Sequence, residues 1–333
     1  MKLTIKICLI ALLSSLYSGH SLAKTFKIAT LAPAGTTWMK LMKQGARNIN
    51  EKTDGRVRLK FYPGGVMGNE QSVHRKIKVG QLHGGAFTSS GLENIYPGIQ
   101  ALSLPMVFGS LDEVDYVRSK IDQSLKQNME QGGFVLLGIA NGGFAKIMSQ
   151  QPLTDLEAIR SSKVWIPEGD NVVLETFKSL GISPISLSIA DVFTGLQTGL
   201  IETVTVTPTA AIAFQWHTST SYMTVTPLGY LIGILAVQKK AFDGLSPEDQ
   251  IIVRDEMQRV FSRLDKLNRS DNQAAQAALQ QQGIEFVSPS PEELARWKSL
   301  SATSIDKMVK SGAISSEIVD QVKVHLESFQ KSQ

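Results

Sequence analysis

The residue types that most often carry out catalysis are present in this sequence, but their spacing does not match any catalytic motif. The chain has no Gly-x-Ser-x-Gly elbow for a nucleophilic serine and no Gly-Lys-Ser/Thr phosphate loop. It also lacks Cys-x-x-Cys and His-Glu-x-x-His, and the histidines beyond the first 23 residues are not paired at metal-ligand spacing: His74, His83, His217 and His325. We therefore predict no enzyme activity, no catalytic residues, no metal site and no cofactor.

Two glycine clusters have the composition of ligand-binding loops but not their context. Gly64-Gly65 with Gly68 resembles a phosphate loop, yet no Lys-Ser follows, which favours a turn. Gly142-Gly143 is typical of a turn or of a close approach between two backbones. Both clusters are interpreted as structural.

The elements that would position any site alternate between strands and helices. Strands are predicted over residues 25–31, 56–62 and 84–88, with helices over 36–52 and 69–79 between them. A β-α-β-α-β order implies parallel strands joined by crossover helices, which is the α/β class.

A second block of the same kind begins near residue 134. Strand segments are predicted over 134–139, 145–149, 164–166 and 182–184, with helices over 172–180 and 190–198. Ser246-Pro247-Glu248-Asp249 begins a long helix that reaches about residue 282, and two more helices follow Pro291. Since no Ser/Gly-rich linker separates the blocks, we expect two α/β lobes joined by crossing strands.

Length and charge place further limits on function. A chain of 333 residues is long enough for about two domains. Its 34 basic and 30 acidic residues give a net charge of +4, and the basic residues are spread along the chain. A nucleic-acid-binding protein would concentrate them on one face, so that partner is not expected.

Residues 1–23 have the pattern of a cleavable signal peptide. Lys2 and Lys6 precede an apolar stretch over 7–16, and Ser21-Leu22-Ala23 places small residues before a cleavage site after Ala23. The apolar stretch is short for a membrane span, so a permanent anchor is the less favoured alternative. The only cysteine, Cys8, lies in this segment, so the exported protein would fold without disulfides.

Four segments resemble the solute-binding proteins of tripartite ATP-independent periplasmic (TRAP) transporters, the DctP-like family. They are EKTDGRVRLKFYPGGVMGNE (51–70), ALSLPMVF (101–108), PLTDL leading to KVWIP (152–167), and LGISPISLSIADVFTGLQTG (180–199). The resemblance covers about residues 25–250 in order. It implies a periplasmic receptor that captures a small solute by lobe closure and delivers it to the small and large subunits of a membrane permease.

The resemblance also implies an architecture. It is a two-lobed periplasmic binding protein fold of the type II kind, with mixed sheets flanked by helices, a ligand cleft between the lobes and a long helix across both. The corresponding division is a signal peptide over 1–23, lobe 1 mainly over 24–145 and lobe 2 mainly over 146–235. Helices in 236–333 would pack across both lobes.

The chain departs from this family at the positions that bind carboxylates. Trp165 stands where most members have an arginine, and Phe144 stands where many have a second one. The ligand-binding asparagine of the family falls near Val206 or Thr207. Because a buried acid without a cationic partner costs several kcal/mol, we predict that the ligand is not a carboxylate.

We predict instead a pocket with aromatic walls and a few hydroxyl groups, suited to a neutral or largely apolar solute. The candidate ligand-binding residues are Trp38, Phe87, Thr88, Ser89, Phe144, Trp165, Glu168, Thr205, Thr207 and Trp216. The alternative for the aromatic residues is that they fill the core. Asp170 is predicted to be the N-cap of the helix that follows it.

Four alternatives remain open from the sequence. The solute is a cation if Glu168 or Asp170 forms an ammonium cage with Trp165. It is an organic acid if other basic residues hold it. The protein is a sensory receptor if it reports to a membrane protein other than a permease, and an exported enzyme if the cleft carries convergent catalytic groups.

Overall fold

A mixed β-sheet forms the centre of the protein. The computed structural model describes residues 23–333, so the predicted signal peptide lies outside the described residues except for Ala23. Seven strands form the sheet, in the order β2-β1-β3-β8-β4-β7, and β9 pairs with β8 off this path. They are β1 (Lys24–Thr30), β2 (Val57–Tyr62), β3 (Gly84–Phe87), β4 (Phe134–Ser149), β7 (Thr203–Val206), β8 (Tyr222–Gln238) and β9 (Glu285–Val287). Two further strands, β5 (Trp165–Pro167) and β6 (Ile185–Leu187), form a small parallel sheet.

Helices cover both faces of the main sheet. They are α1 (Thr37–Lys52), α2 (Glu70–Lys78), α3 (Leu111–Gln131), α4 (Leu156–Ser161), α5 (Asn171–Ser179), α6 (Val192–Gln197), α7 (Pro208–Ala213), α8 (Lys239–Asp243), α9 (Pro247–Gln281), α10 (Pro291–Ser311) and α11 (Ser316–Lys331). None of these helices is both long enough and apolar enough to cross a membrane.

The first block confirms the β-α-β-α-β prediction. Strand β1 pairs in parallel with both β2 and β3, and α1 and α2 make the crossovers. Helix α1 begins after Thr36, whose Oγ1 accepts a hydrogen bond from the Met39 amide. Asn69 caps α2 in the same way, through the Ser72 amide. The α/β class predicted from the sequence is confirmed.

Two long antiparallel strands connect the two lobes. Strands β4 and β8 contain 16 and 17 residues and pair along most of their length. One end of the pair meets β3, where Gly84 lies opposite Val237, and the other meets β7, where Lys146 lies opposite Val206. The prediction of separate strands over 134–139 and 145–149 is therefore wrong. Bulges in β4 interrupt the alternation of side chains, so its sequence pattern resembles that of two separate strands.

The prediction of a strand over 182–184 is also wrong. The amide of Ile182 bonds to the Phe177 carbonyl and closes the end of α5. Pro184 has no amide hydrogen to donate to a sheet. Pairing therefore starts after it, with Ile185 opposite Trp165.

Helix α9 confirms the predicted long helix and contacts both lobes. It contains 35 residues, and Ser246 caps it by accepting a bond from the Asp249 amide. Phe261 packs so closely on β4 that a Cβ on Gly138 would lie 2.1 Å from its ring. Farther along, Asn272 bonds to Thr209 at the start of α7. One continuous helix therefore lies against the sheet of the first lobe and a helix of the second.

The hydrophobic core consists of separate clusters in the two lobes. Ile28 and Val237 lie in the first-lobe clusters, and Val204 lies in the second-lobe ones. The C-terminal helices contribute to both, since Trp297 packs in the second lobe and Met308 in the first. The lobe boundaries at residues 145 and 235 stay a prediction.

Candidate functional site

A cavity of about 820 Å³ lies between the two lobes. The carboxyl ends of β1 and β3 line it from the first lobe, and β7 and α7 line it from the second. The long strands β4 and β8 and the long helix α9 complete its walls. A volume of this size matches pockets that enclose small molecules.

Eight of the ten predicted residues line this cavity. They are Trp38, Phe87, Thr88, Ser89, Trp165, Thr205, Thr207 and Trp216. They come from segments far apart in the chain, which the crossing strands bring together. Their role in binding a ligand stays a prediction, and the other two residues lie elsewhere.

Phe144 does not line the cavity, because a bulge in β4 changes the direction of its side chain. The register between β4 and β8 shifts between Asn141 and Gly143, and Gly143 has a φ of 97°. Phe144 therefore packs edge-on against Tyr230 in the first-lobe core, with ring centroids 5.8 Å apart. Gly142 lines the cavity in its place.

Glu168 also lies outside the cavity walls. Its exposed carboxylate accepts a hydrogen bond of 2.7 Å from Asn69 Nδ2, at the N-terminus of α2. The prediction that Glu168 lines the pocket is therefore wrong. Its contact instead joins the two lobes.

A chain of aromatic contacts fixes the second-lobe wall. Trp165 Nε1 donates a hydrogen bond of 3.0 Å to the Leu187 carbonyl, which sets the orientation of the indole. Trp216 lies edge-on to Trp165 at 5.2 Å and stacks on Phe214 at 5.4 Å. Both tryptophans are 3% exposed. They both belong to a core cluster and line the cavity.

Two carboxyl groups in the cavity wall are held by hydrogen bonds. Glu70 accepts bonds from the Thr88 amide at 2.6 Å and from Thr88 Oγ1 at 2.9 Å. Burial raises the pKa of Glu70 to about 7, against the opposing effect of these bonds. Asp170 accepts a 2.9 Å bond from the Val173 amide, which confirms the predicted N-cap. Burial raises the pKa of Asp170 to about 6.

The charges that line the cavity are all acidic. Glu70, Asp170 and Asp271 line it, whereas no lysine, arginine or histidine does so in the part of the chain that the structure describes. Within residues 23–333, no group of three or more His, Cys, Asp or Glu side chains is placed to hold a metal ion. The walls offer aromatic and aliphatic surface, hydroxyl groups and hydrogen-bonded carboxyl groups. Such a set binds a molecule by shape and hydrogen bonding.

Sequence reasoning missed the contribution of α9 to the site. Asn268, Asp271 and Asn272 all line the cavity. Asn272 Nδ2 donates a 3.2 Å bond to the Gly142 carbonyl, and its Oδ1 accepts a 2.9 Å bond from Thr209 Oγ1. The signal in the sequence is the pair of asparagines four residues apart, which places both amides on one helix face.

Comparison with known proteins identifies similar sequences and folds. The family model described as "Bacterial extracellular solute-binding protein, family 7" matches residues 28–311. "Uncharacterized protein YiiZ" of Salmonella typhimurium is 26% identical over 210 residues, which are 62% of this chain and 64% of that relative. "2,3-diketo-L-gulonate-binding periplasmic protein YiaO" of Escherichia coli is 22% identical over 274 residues, covering 82% of this chain and 79% of the relative.

A solved structure has the same two-lobed α/β fold. The sugar acid binding protein DctPAm from Advenella mimigardefordensis, in complex with galactonate, superposes with a TM-score of 0.85. The match covers 92% of this chain and 98% of that structure at 18% sequence identity. At this level of identity the likeness shows the fold.

Proposed function

We propose, since this chain belongs to bacterial extracellular solute-binding protein family 7, that it is a TRAP transport receptor for a small solute without a carboxylate. The solute is neutral and largely apolar. It is enclosed in the cavity between the lobes and delivered to the small and large subunits of a membrane permease. The receptor would work in the periplasm after its signal peptide is removed. Its family consists of transport receptors, which are not enzymes.

The observation that carries this proposal is that the ionisable groups in the described cavity wall are acidic and none is basic. No basic side chain of the described residues lines the cavity, while Glu70 and Asp170 do. An enclosed carboxylate would therefore have no basic partner among these walls and would lie beside acidic groups. The cost is several kcal/mol, which is enough to abolish useful binding.

The proposed solute differs from the one bound by the structural relative. DctPAm is a sugar acid binding protein in complex with galactonate. The sequence resemblance implies that an indole, Trp165, stands in this chain where most members of the family have a carboxylate-binding arginine. The indole N–H of Trp165 is its single side-chain donor, and it bonds to the Leu187 carbonyl. It is therefore not available to donate to an anion.

Several hydroxyl groups in the wall are bonded within the protein. Thr88 Oγ1 donates to Glu70 and Ser89 Oγ bonds to Ser103 Oγ, whereas Thr207 Oγ1 accepts from the Ala210 amide and so has its own hydrogen to donate. Few donors remain for the solute, whereas the aromatic and aliphatic walls offer a large contact area. This balance supports a solute of low polarity with one or two hydrogen-bonding groups.

A thermal-shift screen of the mature protein tests the proposal. The compounds are sets of matched acids, alcohols, amides and amines that share a carbon skeleton. A ligand present at a hundred times its dissociation constant adds about 2.7 kcal/mol of stability. We expect the largest shifts from alcohols or amides, and a largest shift from the acids would contradict the proposal.

A second candidate is a cationic solute, and it is favoured by one observation. Asp170 and Glu70 both line the cavity that Trp165 also lines. An ammonium group would gain from the carboxylates and from the face of an aromatic ring. The amine arm of the same screen distinguishes this candidate from a neutral solute.

A further inference from the structure

The cavity is also lined by side chains from inside the second lobe. These are Leu156, Ile159, Phe177, Leu180, Ile182 and Trp297. They come from α4, α5, the turn after it, and α10, and they belong to or pack against one core cluster of that lobe. We call the space that they line the annex. It is continuous with the cleft, because one cavity contains both sets of residues.

The annex is largely apolar, and two of its polar groups are bonded within the protein. Thr176 Oγ1 donates a 2.7 Å bond to the Val172 carbonyl, one turn earlier in α5. Trp297 Nε1 donates a 3.1 Å bond to Glu293 Oε2, one turn earlier in α10. Cavities lined in this way do not hold ordered water and instead bind apolar groups.

The cleft and the annex differ in chemistry. The cleft side carries the hydroxyls of Thr88 and Thr207 and the carboxyl of Glu70. The annex side carries mainly aliphatic and aromatic surface around Ile159 and Phe177, together with the hydroxyls of Thr176 on α5 and Ser301 on α10. A solute that fills both must have a polar end and an apolar end.

We propose that the annex holds the hydrocarbon tail of the transported solute, whose polar end lies in the cleft near Thr88 and Thr207. The inference rests on the proposed function and names the chemical class of its solute: an uncharged amphipathic molecule. Each tail methylene removed from water strengthens binding by about fourfold. The affinity of such solutes therefore rises with chain length until the annex is full.

A homologous series of probes tests the tail site. The probes are linear alkanes with hydroxyls on the first two carbons, from the three-carbon to the ten-carbon member. Their affinities for the mature protein are measured by calorimetry. Carboxylic acids of the same chain lengths form a parallel series. We expect the diol affinity to rise about fourfold per methylene and then to level off.

Two neighbouring residues of α5 provide a matched pair of variants. Val173 and Leu174 are both partly buried and both pack on the same core cluster, but only Val173 lines the cavity. Val173→Phe should shorten the optimal chain and weaken the longest diols by tenfold or more, with little effect on the shortest. Leu174→Phe should bind every diol with the same affinity as the unmodified protein. The smaller change Val173→Leu gives the same trend if the phenylalanine variant does not fold.

The outcomes separate the tail site from the proposed function. If diols bind with no dependence on chain length, or if Val173→Phe weakens short and long diols equally, the tail site is wrong and the proposed function stands. If no diol binds at all, the tail site is also wrong. If the acids bind more tightly than the diols of equal length, the proposed function is wrong.

Discussion

Asn69 Nδ2 lies 2.7 Å from Glu168 Oε2 and joins the two lobes at the edge of the cavity. A second bond crosses close by, from Asn171 Nδ2 to Glu93 Oε1. The segment from Glu168 to Asn171 thus contacts two separate parts of the first lobe. These bonds form only when the lobes are together, so they stabilise the closed arrangement.

Removing the first of these contacts should open the cleft. Glu168→Ala deletes an exposed acceptor. A net hydrogen bond contributes about 0.5–1.5 kcal/mol, so the ratio of closed to open protein should fall about two- to tenfold. The distance between the lobes is measured with spin labels on Lys78→Cys and Lys178→Cys, which are both exposed and lie in different lobes. Residues 23–333 contain no native cysteine that would interfere.

Glu202→Ala is the matched control for this experiment. Its carboxylate pairs with Lys163 at 3.1 Å, so it does not cross the cleft. We expect its distance distribution to equal that of the unmodified protein. An unchanged distribution in Glu168→Ala as well would show that the Asn69 contact does not stabilise closure.

The stability of the protein should decrease as the pH rises from about 4.5 to about 7. Burial raises the pKa of Glu70 to about 7, so the folded protein keeps a proton that the unfolded chain has already released. Folding therefore binds protons in this window, and raising the pH disfavours it, by at most about 3 kcal/mol. Asp170 acts in the same direction up to about pH 6. Urea unfolding at a series of pH values measures the slope.

Glu70→Gln should remove most of this pH dependence, since an amide does not titrate and still accepts a bond from Thr88. Glu175→Gln is the control, because that exposed carboxylate pairs only with Lys178 on the same helix. If the unfolding free energy of Glu70→Gln changed with pH as steeply as that of the unmodified protein, other groups would cause the pH dependence.

Much of the fold follows from local patterns in the sequence. The caps Thr36, Asn69, Asp170 and Ser246 all accept the amide bonds that their residue types favour. Strand pairing was harder, because β4 pairs with a strand about ninety residues away and its bulges hide its continuity. Helix α3 was not predicted, although Ser110 and Glu113 form a capping box at its start.

The site was predictable where it follows strand ends and unpredictable where it depends on packing. Thr88 and Thr205 lie at strand ends or in strands of the sheet, and the resemblance to a known family located Trp165. Phe144 was misplaced because a single inserted residue reverses the face of a strand. The annex combines α4, α5 and α10, whose mutual packing no local pattern encodes.

A basic side chain placed in the cavity should create binding of organic acids. Leu231 lines the cavity and is 38% exposed, so an arginine there remains hydrated in the free protein. Leu231→Arg should bind succinate at least tenfold more tightly than the unmodified protein, because a guanidinium pairs with a carboxylate through two hydrogen bonds. Calorimetry measures the gain.

Leu231→Met controls for the change in shape at that position and should show no gain for succinate. If Leu231→Arg also gains nothing, the missing cation is not what keeps acids out of the cavity.

The bulge that turns Phe144 into the core depends on glycine. Gly143 has a φ of 97°, and a Cβ there would lie 2.8 Å from Asn272 Nδ2. Gly143→Ala should therefore lower the free energy of unfolding by about 1–3 kcal/mol. Gly35→Ala, where a Cβ would meet nothing within 4 Å, should change it by less than about 0.5 kcal/mol. Equal effects in both variants, measured by urea unfolding, would contradict this explanation of the bulge.

The charge preference of the cavity is tested most directly by calorimetry with two versions of one molecule. The first is the best neutral solute from the thermal-shift screen, and the second carries a carboxylate in place of its hydroxymethyl or amide group. Because the described walls of the cavity offer acids and no basic partner, the carboxylate should bind at least about a hundredfold more weakly. Equal or tighter binding of the carboxylate would show that this receptor takes organic acids.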